Sequence, residues 1–515
     1  MKRLTTLDDR AEASRRLAEI LDARVEWFCG GTHNEESVPL GRDDWQLETA
    51  TGALYFSYHT KRGHARVWRV AGWEWTGDRL RLEATRRAGA ERALLELVPR
   101  ATVREGAEAL AAARRAACAR LASLVCETAG HAQIERASLS AGVRRNVPGR
   151  YARITMRVGR ERVAATGAVV ALGAHEVDAF LASALLWWTR AGDASKSNRA
   201  GARSLWLVVS DELKEAAAER LALLREGVRR EIKLWVTDET WQTLSRHATP
   251  TLAETLADAP RFRRPPPAPL SETAARIVAL APEAIDAVRA RQGETLRFHG
   301  LSFARVRNLM GREHVWFGAG RAPRLLLDED NLPQLSKLID DLGEQRRAAT
   351  VNRRHALYTA APEAWLESLL RRDITRLDPG LRLAPLHAQF RTLTRGARNA
   401  IARPVDLLAL RRDGRLVVIE LKIAEDAALP LQGADYWRRV EAYRQRGDIT
   451  RSRLFGDAPI ADEPPLLYLV APFLRFHRHF DTLARMLSPE IELYRFDLNE
   501  DWRAGVKAVR RERVE

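Results

Sequence analysis

The run from Pro404 to Ile423, "PVDLLALRRDGRLVVIELKI", constrains this chain more than any other. Two apolar segments are joined by a short turn at Arg412 to Gly414, the pattern of a β-hairpin. Side chains alternate along a strand, so Leu416, Val418, Glu420 and Lys422 share one face while Val417, Ile419 and Leu421 take the other. Glu420 and Lys422 thus emerge side by side, roughly 6–7 Å apart at the backbone. Across the turn, Asp406 lies between Val405 and Leu407, at the end of the first strand that faces Glu420. Burying charge costs heavily unless the charge is paired. Two close carboxylates repel unless a cation lies between them, and oxygen-only ligation suits Mg²⁺ or Mn²⁺ rather than zinc. A lysine beside them can orient or deprotonate a water while facing a phosphate, which is metal-assisted hydrolysis of a phosphodiester. A Glu-x-Lys pair alone fits a buried ion pair or a solvated edge strand. Asp406, fourteen positions upstream in a second apolar strand, turns the pattern into a candidate site.

Composition narrows the partners. A chain of 515 residues is too long for one core, and three or four domains are expected. The net charge of +16 and pI near 10.3 point to a polyanion, nucleic acid first and an anionic membrane second. An arginine-rich composition also raises pI without any binding role, and only eight of the 84 basic residues are lysines. Cys29, Cys118 and Cys126 match no zinc spacing and make no disulfide framework, so reduced thiols and a cytoplasmic protein are expected. The first residues lack the apolar segment of a signal peptide, and no apolar run approaches the ~18 residues of a spanning helix, so no membrane role is expected.

Five segments are expected. Residues 1–104 are a β-rich domain with strands such as "ARVWRVAGWEW"; 105–258 alternate helix and strand; 259–272 form a proline-rich basic linker; 273–355 are a small α/β connecting domain with two strands between helices; 356–515 carry the hairpin. In the last segment the pattern predicts helices near 362–376 and 432–446 and strands at "LRLAPLHAQF", "PVDLLAL", "RLVVIELKI", "PLLYLVAP" and "IELYRFDL". Strands alternating with helices imply an α/β (α+β) layered domain whose sheet is covered on both faces.

Pro404-Val405-Asp406 followed by Glu420-Leu421-Lys422 resembles the signature of the PD-(D/E)XK nuclease superfamily, whose fold is the restriction-endonuclease-like α/β/α sandwich. That family adds an acid on the preceding helix, where Glu367 fits and Glu363 is the other candidate. Gln432 and Tyr436, four apart on the next helix, are similar to the glutamine and tyrosine of nucleases of the RecB type, and the whole run looks most like mismatch and branched-DNA endonucleases of the NucS type. The resemblance covers about 360–500. It implies that Asp406 and Glu420 bind Mg²⁺ (or Mn²⁺) with the Leu421 carbonyl, that Lys422 positions the attacking water, and that Glu367 assists. Gln432 and Tyr436 would support the site or touch the substrate backbone; simple packing of that helix on the sheet fits them as well. Arg371, Arg372, Arg438, Arg439, Arg444 and Arg446 surround the region and could neutralise phosphates, and 391–404, with Arg395, Arg398 and Arg403, is the expected substrate loop. His387, His477 and His479 could approach phosphates or be structural.

Residues 131–170 echo 387–423, and "SLWLVVSDELKEAAAERLALL" parallels "LLYLVAPFLRFHRHFDTLARML", as an internal duplication would. Aligned by sequence, Ala152, Ala165 and Gly167 fall at the positions of Asp406, Glu420 and Lys422, so the first copy would be inactive, kept for DNA positioning or as an internal dimer partner. "FGAGRAP" (317–323) follows no dinucleotide-binding pattern and reads as a turn. The expected function is a metal-dependent DNA endonuclease in DNA repair or processing, as a monomer or homodimer. The alternatives are a non-catalytic nucleic-acid-binding protein that keeps the fold, or a restriction or defence nuclease.

Overall fold

A computed structural model describes the chain apart from residues 1, 25, 32–37, 42–43, 51, 60–64, 78, 87–90, 131, 143–147, 193–201, 239, 259–268, 291–292, 310–311, 321–323 and 385–404. Most of the proline-rich linker, the loop with Arg395, Arg398 and Arg403, and His387 and Pro404 lie outside the described residues. The chain is mixed α/β and divides into two compact units, Met1–Ala116 with Ala141–Gly149, and Ala117–Ser140 with Arg150–Glu515. The expected boundary at 104/105 falls inside the helix Arg100–Thr128, because that helix follows the strand Glu91–Pro99 with no linker between them. No helix among the described residues is long and apolar enough to cross a membrane.

The first unit is an antiparallel sheet built from strands between Trp27 and Pro99. Helix Leu7–Asp22, started by a Thr6–Asp9 capping box, places Ala13, Leu17 and Leu21 in the same core as Trp27, Phe56 and Leu82.

In the second unit one topology occurs twice. The first copy comprises β1 (Ala132–Leu139), β2 (Tyr151–Val158), β3 (Glu161–Ala168), α1 (Val177–Gly192), β4 (Ser204–Ser210), α2 (Lys214–Leu221), β5 (Ile232–Thr237) and β6 (Leu244–His247). The second comprises α3 (Pro362–Arg372), β7 (Leu381–Leu383), β8 (Leu407–Arg411), β9 (Leu416–Leu421), α4 (Leu429–Gln445), β10 (Leu466–Pro472), α5 (Phe480–Ala484), β11 (Leu493–Leu498) and β12 (Ala508–Arg513). Each sheet runs in sequence order, with an antiparallel hairpin, two parallel pairings and an antiparallel last strand. The parallel strands β9 and β10 are buried on both faces, which is why "LVVIEL" and "LLYLVAP" are continuous rather than alternating apolar runs. One face of the second sheet packs on α3 through Trp365, Leu366 and Leu370; the other packs on α4. Gly433 lets α4 sit this close, since a Cβ there would lie 2.6 Å from Leu469 Cδ2.

Backbone register fixes which residues of the copies correspond. Leu205 N–H donates to Glu231 O, and Leu467 N–H donates to Glu492 O. Leu205 therefore matches Leu467, and since Thr166 pairs with Leu207 and Glu420 with Leu469, Thr166 matches Glu420. Across its hairpin Thr166 faces Arg153, as Glu420 faces Asp406 one step beyond the Leu407–Ile419 pair. The counterparts of Asp406, Glu420 and Lys422 are thus Arg153, Thr166 and Ala168. The sequence alignment on Ala152, Ala165 and Gly167 was one residue out, which puts every side chain on the wrong face of the sheet. Both strands of the hairpin slip together: the shorter first-copy spacing, 13 positions from Arg153 to Thr166 against 14 from Asp406 to Glu420, is the same in either alignment.

The two copies meet along α1 and α4 in one shared apolar core. Leu224 and Leu487 form an antiparallel bridge, in which Arg225 N–H donates to Met486 O at 2.8 Å and Ser488 N–H to Leu223 O at 2.7 Å. Beside it, the buried Arg220 contacts Asp178 at 3.1 Å in its own copy and Asp435 at 2.9 Å in the other. Asp435 also receives Arg438 at 2.8 Å and Arg439 at 2.7 Å. Burial alone would raise the pKa of Asp435; Arg220, Arg439 and Arg438 outweigh it and hold the carboxyl below its usual range.

Between the copies, residues 272–345 form an antiparallel sheet flanked by helices Glu272–Ala279 and Leu332–Gln345. It has more strands than the two expected, because the first of them breaks at His299–Gly300 into Gly293–Phe298 and Leu301–Leu309, and Ile285–Ala290 and Leu325–Leu326 are added at the edges. Gly300, at φ +79°, turns the chain against α3, where a Cβ would lie 2.0 Å from Ala364 O.

Candidate active site

Asp406 ends the loop that enters β8, and Glu420 and Lys422 lie at the end of β9, where that strand leaves the sheet for α4. Alternation puts Asp406, Glu420 and Lys422 on the α4 face. Asp406 is fixed from both sides: Leu421 N–H donates to its Oδ2 at 2.8 Å, and Arg371 Nη2 donates to its carbonyl at 2.9 Å. Glu420 is 1% exposed. Its Oε1 accepts from Gln432 Nε2 at 2.6 Å and lies 3.5 Å from Lys422 Nζ. Gln432 Nε2 is also 3.3 Å from the Tyr436 hydroxyl, so the two α4 residues act as one bracket behind the carboxylate. The buried Oε2 of Glu420 has no hydrogen-bond partner among the described residues.

Both acids hold protons more tightly than usual. Burial pushes Asp406 up to about 6 against the opposing Leu421 amide, with the nearby Glu367 adding to the rise. Burial first, and the adjoining Asp406 second, raise Glu420 well above the usual carboxylate range, and the two side chains are close enough to hydrogen-bond. Burial is the first cause at both acids, and the neighbouring negative charge adds to it, from Asp406 at Glu420 and from Glu367 at Asp406.

Glu367 is committed elsewhere. Arg371 Nε donates to its Oε1 at 2.7 Å, and Arg297 from the connecting sheet reaches its Oε2 at 3.5 Å. Its contribution to the site runs through Arg371, which holds the Asp406 carbonyl. Arg297 carried no signal in the sequence, since only the fold brings its strand to α3. Leu421 meets Asp406 through its amide, a contact that its expected carbonyl role did not include. Most arginines expected to face phosphates are also paired internally: Arg372 with Asp286, Arg438 and Arg439 with Asp435, Arg444 with Glu441 and Asp462, Arg446 with Asp448.

Among the described residues no group of three or more His, Cys, Asp and Glu side chains is disposed to hold a metal ion. Asp406 and Glu420 supply two carboxylates, one with a buried oxygen lacking a donor. That donor set fits a hard divalent cation that keeps several waters. Comparison with protein-family models, curated proteins and solved structures returned no match to this chain.

Proposed function

We propose that the chain is a metal-dependent nuclease that hydrolyses phosphodiester bonds in DNA, with its active site at Asp406, Glu420 and Lys422 on a restriction-endonuclease-like sandwich. The observation that carries this is Glu420: a buried carboxylate with one unpartnered oxygen, touching a second carboxylate and a lysine on one strand face. An acid pair with raised proton affinity is costly to keep and is suited to divalent-metal binding.

Asp406 and Glu420 would hold Mg²⁺ or Mn²⁺, which when bound supplies charge neutralisation of the scissile phosphate and acidifies a bound water. Gln432 fixes the Glu420 carboxylate through Oε1 and leaves Oε2 for the metal. The Leu421 amide and Arg371 do the same for Asp406. Lys422, 19% exposed at its side chain, keeps its ammonium at the mouth, where it can orient a water and face the non-bridging oxygens of a phosphate. Glu367 serves as a positioning residue, neutralising Arg371 and Arg297.

A non-catalytic nucleic-acid-binding protein is the second reading, favoured by Glu420 Oε1 being already engaged by Gln432 and Lys422. The deciding measurement is Mg²⁺- or Mn²⁺-dependent cleavage of duplex, flap, mismatched and single-stranded DNA, with Lys422→Ala as control. Cleavage that the variant retains would remove the site assignment; no cleavage of any substrate, with binding intact, would favour the second reading.

A further inference from the structure

One of the three first-copy residues matched to the acidic site faces a cavity of different chemistry. Arg153 stands where the second copy has Asp406, and it lines a cavity of about 220 Å³ between the two copies. The face of α1 carrying Arg190 forms one wall; Asp426, His477, Arg478 and His479 of the second copy form the other. Among the described residues none of Arg153, Arg190 and Arg478 forms an ion pair, in contrast to the internally paired arginines around Glu420. The single carboxylate, Asp426, is occupied locally, accepting from Ala428 N–H at 2.8 Å. Three guanidinium groups against one carboxylate leave the cavity strongly positive. The His477 and His479 rings, with centres 5.5 Å apart, complete that second wall. Burial and the adjacent Arg190 both press Arg153 below its usual range; burial and then Arg190, Arg478 and His477 do the same to His479. The guanidinium groups are thus crowded around a single carboxylate.

Asp426 lies four residues after Lys422, so the cavity begins at most about 14 Å of chain from the acidic site. At ~3.4 Å rise per step that is no more than about four nucleotides along one strand. From these placements we infer that this cavity between the copies is a phosphate-binding subsite, holding an internal backbone phosphate of the same nucleic-acid strand that the second copy's acids engage. This rests on the nuclease reading for its second half. The subsite itself is defined by the cavity and its cations. The turn after Lys422 links the cavity to the acidic site, through Asp426, Ala427 and Ala428 in its wall.

The test is binding by the full chain without divalent metal, read by fluorescence anisotropy on labelled DNA across a salt series. The double variant Arg190→Ala/Arg478→Ala removes two exposed side chains, and an unchanged thermal midpoint verifies its fold. It is expected to weaken binding at least about tenfold and to flatten the salt slope by about one to two. The control Arg230→Ala/Arg276→Ala removes the same net charge elsewhere; an equal loss in the control would overturn the subsite. DNA with a 5′-phosphate and with a 5′-hydroxyl should bind alike, and a tenfold preference for the 5′-phosphate would overturn the internal-phosphate assignment. Competition by inorganic phosphate or a 5′-mononucleotide as strong as by the DNA would do so too. Failure of cleavage with these binding results intact would fall on the nuclease proposal alone.

Discussion

The two copies share strand order, hydrogen-bond register and a common apolar core, yet at three matched positions one carries Asp406, Glu420 and Lys422 and the other Arg153, Thr166 and Ala168. Thr166 closes its hydrogen bond locally, donating to Ala152 O at 2.6 Å. Glu420 leaves an oxygen unsatisfied and raises its own proton affinity. The first copy therefore forms the same fold without the charges, and under the proposed function what they cost the second copy serves chemistry. Substitutions that separate the copies put numbers on that difference.

The largest effect is on chemistry. Glu420→Ala or Lys422→Ala should lower metal-dependent DNA cleavage by about 10³-fold or more, while Thr166→Val leaves the rate unchanged. Equal losses in both copies would end the functional distinction between them. Next is the joint itself. Arg220→Ala leaves Asp178 without its cation and takes one of three from Asp435, and should cost about 3–5 kcal/mol, seen as a lower urea midpoint. A shift no larger than that of a surface arginine would mean that the copies do not depend on the network.

The third test reads the strain in the acid pair. The native state holds the Asp406 proton up to about pH 6 where the unfolded chain releases it near 3.8, so this contribution favours folding at low pH and is lost as pH rises through about 6. Without metal at about pH 8, Glu420→Gln should therefore stabilise the protein by ~1–3 kcal/mol, a gain that shrinks below about pH 5. Added Mn²⁺ should raise the wild-type thermal midpoint at the higher pH and not at the lower. Destabilisation by Glu420→Gln at both values would show that the carboxylate is a structural partner of Gln432 and Lys422. Smallest is Arg371→Lys. Lysine cannot span Glu367 and the Asp406 carbonyl with a planar fork, so a loss of ~1 kcal/mol and about tenfold in cleavage is expected. Unchanged cleavage would remove Arg371 as a positioning residue.

The hairpin and its face were readable from alternation alone, because Glu420 and Lys422 interrupt an otherwise apolar strand. The bracket of Gln432 and Tyr436 followed from helical spacing. Their contact with Glu420 did not, since either packing or substrate contact suited them. The match between copies could be sensed from element order but not aligned, because both strands of an apolar hairpin can slide by one residue together without any change in composition that registers the slip. Arg297 and Arg153 were invisible for another reason: each gains its meaning from a strand brought in from a distant segment. The arginines near the site misled because a sequence cannot show that Asp435 and Glu441, on the same helix, had already claimed several of them.

At the Leu224–Leu487 bridge each copy offers the same stretch of backbone to the other, as the halves of a two-fold dimer do. Here the halves are one polypeptide. In a homodimer every codon change is written into both subunits, so a cleft cannot gain an arginine on one side without gaining it on the other. Fusion lifts that rule. Arg153 and Asp406 could diverge to opposite charge because each is inherited separately, while the shared joint holds them at a fixed stoichiometry of one to one.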